Sequence, residues 1–344
     1  MADVARVGAS VTVRDAVPEG WDALLAADPS ATPAHRPLLW EAFAAALPGF
    51  SWRVIAVHEQ GALLGGAPVM RTQRGVWREL HALPWMLPAA PIAQPGRIAQ
   101  VDDRVAHAFA ALAAEWRVCG GTWSLYRPEG PAPDAAAFAG VPGGVRMVET
   151  AVLSLAGGLA ARRAGLARKQ RQALDHAIAR PFVFAEEPDA LEEAYALHLA
   201  QSQGWGGHRP LPLELSRRLL AARDASGPLA RLFTLRTPAG LASATLVLDG
   251  AHESFLWWAG THPSGRRSGA FLRLVWEIAT WAEGQGRRRV NLGASLGLPW
   301  VAAFKQSLGA EGVSHAVRVL DARHAPAPLR WLAGRRRDRM AGDA

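Results

Sequence analysis

Apolar and polar residues alternate from Ser51 onward: "SWRVIAVHEQGALLGGAPVMRTQRGVWRELHA" sets Val54, Ala56 and Leu63 on a period of two, and Gly61 marks a tight turn. The pattern predicts a meander of three strands. A proline-rich loop from Leu83 to Pro95 follows, and then the period changes. "DDRVAHAFAALAAEWRVCGG" spaces its apolar residues three and four apart, starts acidic and stops at glycine, which predicts a helix, and "TWSLYR" returns to strand. The second half repeats this order. "ARLFTLRTPAGLASATLVLDGAHESFLWWAG" predicts three strands with turns at Pro238 to Gly240 and at Asp249-Gly250, "GAFLRLVWEIATWAEGQG" a helix and "RRRVNLG" a strand. Gly61 then matches Gly240, Trp116 matches Trp281 and Gly121 matches Gly286, so the halves read as two copies of one unit. Between them lie the strand "MVETAVLSL", a basic segment over 159–180, and helices near 189–203 and 212–223.

A meander, a helix and a strand returning beside the meander define an α+β fold with a mixed, mainly antiparallel sheet flanked by helices. Two such units are expected, over 1–150 and 151–324, ahead of a basic tail at 325–344. A length of 344 residues with 50% apolar content leaves room for two cores.

The net charge of +8 favours anionic partners. Only Lys169 and Lys305 among the 38 cationic residues are lysines, and the richness in Ala, Gly and Pro points to GC-rich coding drift. Much of the arginine therefore reads as solvated surface. The two lysines carry more information, because an ammonium was kept at two places where a guanidinium would not serve. Cys119 is the single cysteine, which excludes an intrachain disulfide and fits a reducing cytoplasm. The N-terminus lacks a signal-peptide core, no stretch approaches the ~18 apolar residues of a spanning helix, and the histidines show no metal-ligand spacing, so no metal is expected.

Both lysines fall in motifs. "GLARKQRQALDHA" carries Lys169 and Arg171; "NLGAS", a spacer and "FKQSLG" carry Asn291, Gly293, Ser295, Phe304 and Lys305. The second stretch also spells the GxSxG of a nucleophile elbow, which would make Ser295 the nucleophile of a hydrolase. Against this, only His315 and His324 follow it, and the preceding strands read as hairpins. The glycines Gly293 and Gly297 better suit a tight turn that brings backbone N–H groups to a ligand, with Pro299 near the start of the next helix.

Element order and motifs together resemble the Fem-like and CelD-type acyltransferases of the GNAT superfamily, best over residues 150–320. The resemblance implies two tandem GNAT-like units and an N-acyltransferase in which an amine attacks an activated carbonyl directly. The donor would be acyl-CoA or aminoacyl-tRNA. The acceptor would be a small-molecule or lipid-linked amine, such as a cell-envelope sugar or peptide precursor, with tRNA a further partner. It also implies roles. Lys305 would stabilise the oxyanion or a phosphate, with Asn291 and Ser295 beside it as catalytic residues. Arg266, Gly269, Gly293, Phe304 and Trp258 would hold the donor, and Lys169, Arg171 and His208 the substrate.

Two features depart from an ordinary acetyl-CoA enzyme. Arg266-Arg267-Ser268-Gly269-Ala270-Phe271 has Phe271 where a pyrophosphate loop ends on a small residue. A tyrosine to protonate the thiolate is missing from the expected place, Tyr126 and Tyr195 being the only two. A non-catalytic scaffold with a decayed donor site is the alternative. The tail, with Leu329, Trp331 and Leu332 among arginines, is either a peripheral membrane contact or a frayed end.

Overall fold

The computed structural model describes residues 9–83, 87, 89–130, 132–133, 138–204, 210–295 and 298–333. The chain forms two compact units, Met1–Val148 with Ser314–Ala344, and Glu149–Val313. Residues 314–324, expected in the second unit, return to the first, because Val317–Leu320 pair with the strand at Gly121–Ser124.

Unit 1 comprises β1 (Ser10–Arg14), α1 (Trp21–Ala27), α2 (Pro37–Ala46), β2 (Phe50–Glu59), β3 (Ala62–Arg74), β4 (Trp77–His81), β5 (Ile92–Ala93), α3 (Ile98–Glu115) and β6 (Gly120–Ser124). β7 (Gly144–Ser154) leads into unit 2. There follow α4 (Leu159–Gly165), α5 (Arg168–Ile178), β8 (Val183–Glu186), α6 (Leu191–Ser202), α7 (Leu213–Ala221), the short pair β9 (Arg223–Asp224) and β10 (Gly227–Pro228), β11 (Ala230–Thr237), β12 (Gly240–Asp249) and β13 (Glu253–Thr261). The chain continues through α8 (Pro263–Arg267), α9 (Ala270–Gly284), β14 (Arg289–Ala294), α10 (Pro299–Ser307) and β15 (Glu311–Leu320). Strand order is β1-β2-β3-β4-β6-β15 in unit 1 and β7-β14-β13-β12-β11-β8 in unit 2. Each sheet is antiparallel except where β4 meets β6 and β13 meets β14.

The alternation read from sequence marks the strands but not their burial. Leu63 to Met70 of β3 and Leu241 to Asp249 of β12 are buried at every position, since helices cover both faces. In unit 1, α3 lays Val101, Val105, Phe109 and Leu112 on the face of Ile55 and Val57, while Trp40 of α2 meets Trp52 on the other. In unit 2, α9 lays Leu274, Val275 and Ile278 on Phe233, Leu235 and Val247. α6 and α7 cover the opposite face, where Trp258 Nε1 donates to Ser216 Oγ at 3.2 Å.

The turn between β2 and β3 takes left-handed conformations at Gln60 and Gly61, φ 52° and 84°, as a two-residue hairpin requires. The turn after β12 is longer than Asp249-Gly250 suggested. Asp249 ends the strand and its carboxylate is engaged by Arg287 at 2.9 and 3.0 Å, so residues 250–252 make the connection. The repeat holds for elements rather than residues: Trp116 follows the end of α3, whereas Trp281 lies inside α9. Among the described residues no helix is long and apolar enough to cross a membrane, and no cluster of side chains could hold a metal.

α6 crosses β13 at Gly260, where a Cβ would stand 2.5 Å from the backbone nitrogen of His198. Gly260→Val should cost about 1–3 kcal/mol through overpacking. Urea unfolding checks this, and an unchanged midpoint would show that α6 can lift off the strand freely.

Candidate active site: the wedge between β13 and β14

β13 and β14 run parallel for three residue pairs only, Glu253 with Arg289, Ser254 with Val290 and Phe255 with Asn291. β13 then continues to Thr261 while β14 ends at Ala294, and the strands part to leave a wedge. A buried polar network fixes the parting point. Glu253 and Asn291 expose no surface. Arg289 Nε donates to Glu253 Oε2 at 2.7 Å, and Asn291 Nδ2 donates to Oε1 at 3.2 Å. Asn291 Oδ1 accepts from Thr150 Oγ1 at 2.9 Å and from the Gly293 N–H at 2.8 Å. That last bond, from a side chain to the backbone two residues on, bends the chain out of the ladder. Gly293 takes φ +74°, and the pairing of β14 with β7 slips between Asn291 and Ala294.

Lys305 locks the bend from α10. Its Nζ donates to Gly293 O at 2.8 Å and to Ala294 O at 2.9 Å, and the residue is only 7% exposed. Burial lowers its pKa from 10.5 to about 8. The ring of Phe304, one residue earlier, stacks on Phe271 at 5.3 Å and so sets α10 against the first turn of α9.

That first turn is the second part of the site. Gly265 brings α8 against β12, where a Cβ would meet Ala242 O at 2.4 Å, and Gly269, with φ +74°, opens α9. The first helical bond runs from Arg273 N–H to Gly269 O, and no side chain caps the helix. The N–H groups of Ala270, Phe271 and Leu272 therefore point out of a helix start, with the positive end of its dipole and the exposed Arg266 and Arg267 beside them. Phe271 does not obstruct this place, because its ring turns to Phe304.

Unit 1 differs at the matching place. β4 and β6 pair in parallel from Glu79 with Gly120 to His81 with Thr122. The link from β4 to α3 covers 82–97, twice the length of the 262–269 link in unit 2. Among its described residues, Ala82 N–H bonds Thr122 O and Ala90 N–H bonds Tyr126 O, so the link touches β6 and the residue beyond it at these two points. It then pairs with β3 as β5.

The structure brings Gly293, Phe304, Lys305, Gly269 and Arg266 around one wedge, but it changes several expected roles. Lys305 does not present its ammonium to a reacting carbonyl; the ammonium is committed to two backbone oxygens. Asn291 is a buried hub without access to a ligand. Ser295 is bonded to no histidine among the described residues, and its sheet is mainly antiparallel, unlike the parallel sheet that carries a nucleophile elbow. Trp258 faces α6 and α7, its ring 5.2 Å from His198 and 6.0 Å from Tyr195.

The basic segment is partly spent. Arg162 pairs with Glu311, Arg163 with Asp175, and Arg171 donates to Ala164 O at 2.9 Å. Lys169 is exposed at the start of α5, whereas the end of that helix, at Ala177, meets Gly269. Lys169 and Arg171 thus stand most of a helix length from the start of α9. His208 and Gly297 lie outside the described residues. Sequence reasoning missed Phe255, which borders Gly293, and the network of Thr150, Glu253 and Arg289. The acid and base at 253 and 289 read only as strand ends.

A family model of the acetyltransferase (GNAT) domain matches residues 160–306. Comparison with curated proteins gives no match. Among solved structures, FemX superposes with a TM-score of 0.69 at 10% identity, covering 89% of this chain and 96% of that one. A tandem GNAT protein from the clavulanic acid biosynthesis pathway, solved without AcCoA, gives 0.55 at 16% identity, covering 93% and 100%. The C-terminal domain of a putative lysylphosphatidylglycerol synthetase from Agrobacterium fabrum gives 0.50 at 14% identity, covering 90% and 92%. At these identities the likeness shows the fold, a tandem GNAT architecture. The domain match shows that residues 160–306 are similar to the GNAT acetyltransferase domain.

Below pH 8 the folded protein bears the full cost of the buried Lys305 ammonium. Between about 8 and 10.5 it has shed a proton that the unfolded chain keeps, so stability rises with pH across that window. The stability of the wild type relative to Lys305→Met should therefore increase from pH 8 to 10.5 in urea unfolding. A difference that stays flat would mean that the amine is not desolvated.

Proposed function

We propose that the chain is an N-acyltransferase whose unit 2 takes an acyl group from acyl-CoA and delivers it to an amine. The observation that carries this reading is the uncapped start of α9, with Gly269 left-handed and Arg266 and Arg267 exposed, at the mouth of the wedge. A pyrophosphate fits there by charge and by hydrogen bonding. The extended arm of the donor would enter the wedge and bring its thioester to the bend at Gly293.

The amine nitrogen attacks the carbonyl carbon, the C–N bond forms, and the C–S bond breaks with the thiolate leaving. No enzyme nucleophile is needed, and among the described residues no histidine is bonded to Ser295. The chain contributes orientation. Lys305 is a positioning residue: by holding Gly293 O and Ala294 O it keeps the end of β14 away from β13, and its charge lies behind the wedge. The acceptor class is a primary amine on a sugar, a peptide or a lipid-linked precursor. The single cysteine and the need for CoA suit a cytoplasmic site. The described part of the tail packs through Ala325, Leu329 and Ala333 and exposes Trp331 and Leu332, which leaves a peripheral membrane contact as a proposal.

Calorimetric titration with acetyl-CoA and, in parallel, with charged tRNA tests the reading. One acetyl-CoA should bind per chain, because the domain match and the start of α9 with its two exposed arginines belong to unit 2. Arg266→Ala and Arg267→Ala should each weaken binding roughly tenfold, the loss of about 1–2 kcal/mol expected for a charge-assisted contact. Binding of charged tRNA alone would move the donor to the Fem type. Binding of neither would favour the scaffold.

A further inference from the structure

Three arginines meet on one face of the unit 1 sheet, beside the start of β4 and the end of α3. In the ladders Val69 stands opposite Arg53, Ser51 and Leu80 stand opposite Arg71, and Gln73 stands opposite Arg78. Arg53, Arg71 and Arg78 are therefore diagonal neighbours on β2, β3 and β4, on the face that Ile55, Val57, Val69 and Leu80 turn to α3. The helix ends against them. The guanidinium carbons of Arg53 and Arg71 each lie 5.2 Å from the centre of the Trp116 ring, and Arg78 Nη1 donates to Trp116 O at 3.3 Å. Stacking on the ring fixes a guanidinium by its face and leaves its N–H edge for another partner.

The chain supplies little to balance this charge. Among the described residues Arg53, Arg71 and Arg78 form no ion pair, and Trp116 O is the one hydrogen-bond acceptor that any of the three meets. Nε of Arg71 and of Arg78 is sealed from solvent without an acceptor, whereas the terminal nitrogens of Arg53 and Arg71 reach solvent. Glu79, next to Arg78, lies on the other face of β4 and accepts from Trp77 Nε1 at 2.9 Å. Glu115 and Asp15 are exposed and bond none of the three, while Arg74 and Arg117 add exposed positive charge. The negative end of α3 accounts for Arg78, which bonds its last carbonyl, but Arg53 and Arg71 make no such bond. Like charges held this close repel, and an anion would remove that cost.

We propose that Arg53, Arg71 and Arg78 form a phosphate-binding site made by unit 1 alone. Three guanidiniums without a counter-charge match a phosphate monoester or a pyrophosphate, which brings at least about 1.5 negative charges and several oxygens to their N–H edges. A carboxylate brings one charge and two oxygens. The phosphate belongs either to a soluble molecule or to a lipid headgroup. Val76, in the turn from β3 to β4, is 72% exposed, an apolar prong beside the arginines that a bilayer surface would take up. The site stands whether or not unit 2 transfers acyl groups.

The test uses the full chain carrying Arg266→Ala and Arg267→Ala, so that phosphate held at the start of α9 does not enter the result. Inorganic pyrophosphate should raise its urea midpoint above that in sodium chloride of equal ionic strength, and calorimetric titration should show one site. Adding Arg53→Gln and Arg71→Gln should weaken pyrophosphate binding roughly tenfold or more and abolish the rise in midpoint, whereas Arg53→Lys and Arg71→Lys should keep part of both. Because the rise is measured within each variant, a less stable fold does not mask it. Sedimentation with vesicles of phosphatidylglycerol and, separately, of phosphatidylcholine distinguishes the sources. Capture by phosphatidylglycerol alone, lost in the Gln variant, makes the source a lipid headgroup; pyrophosphate binding without capture makes it a soluble phosphate. Absence of both, or equal binding by the Gln variant, would overturn the site and leave the arginines as a cover for the Trp116 ring. Acetyl-CoA binding by the wild type tests unit 2 separately, and its failure would leave this site untouched.

Discussion

A carboxylate with no exposed surface must be neutralised and hydrogen-bonded where it stands. Glu253 meets that demand with Arg289 directly across the β13–β14 ladder and with Asn291 two residues further along. Because Asn291 then spends its oxygen on Thr150 and on the Gly293 N–H, the ladder cannot continue in register past it. The wedge therefore starts where this network ends. β13 is itself irregular just beyond, where Trp257 is an extra residue between Leu256 and Trp258 in the pairing with β12, so both strands leave the ladder after Phe255.

Lys305 completes the constraint from outside the sheet. Two backbone carbonyls at a strand end need donors, and a desolvated ammonium supplies them at the cost of its own hydration. Arginine carries a bulkier planar head, and at this 7% exposed position the compact ammonium reaches both oxygens with one atom. That accounts for one of the two lysines in an arginine-rich chain. Lys169 is exposed, and nothing in the structure explains why it is not an arginine.

The two units share an element order and diverge in one link. In unit 2 the connection from β13 to α9 is short and turns on Gly265 and Gly269, which leaves the helix start uncapped, while side chains of α6 rather than a strand meet Ala259 O and the Thr261 N–H. In unit 1 the longer link touches β6 and pairs with β3. Repetition of a fold therefore does not repeat a site. The proline-rich composition of 83–95 marked this stretch as a loop without showing where it would lie.

Periodicity, turn residues and the position of Gly and Pro determined the elements, because these depend on neighbours in sequence. The meanders, the helices at 98–115 and 270–284 and the doubled unit were legible on that basis, and lysine scarcity pointed to Lys305. What each group does depended on partners far along the chain. Asn291 and Glu253 meet only when parallel strands align, Lys305 reaches carbonyls only when α10 folds back on β14, and His198 finds Ala259 only because Gly260 lets α6 descend onto the strand. "EEAYALHLAQS" carries no local mark of that contact. The return of residues 314–320 to unit 1 is likewise a choice among sheet edges, and local pattern does not distinguish one edge from another.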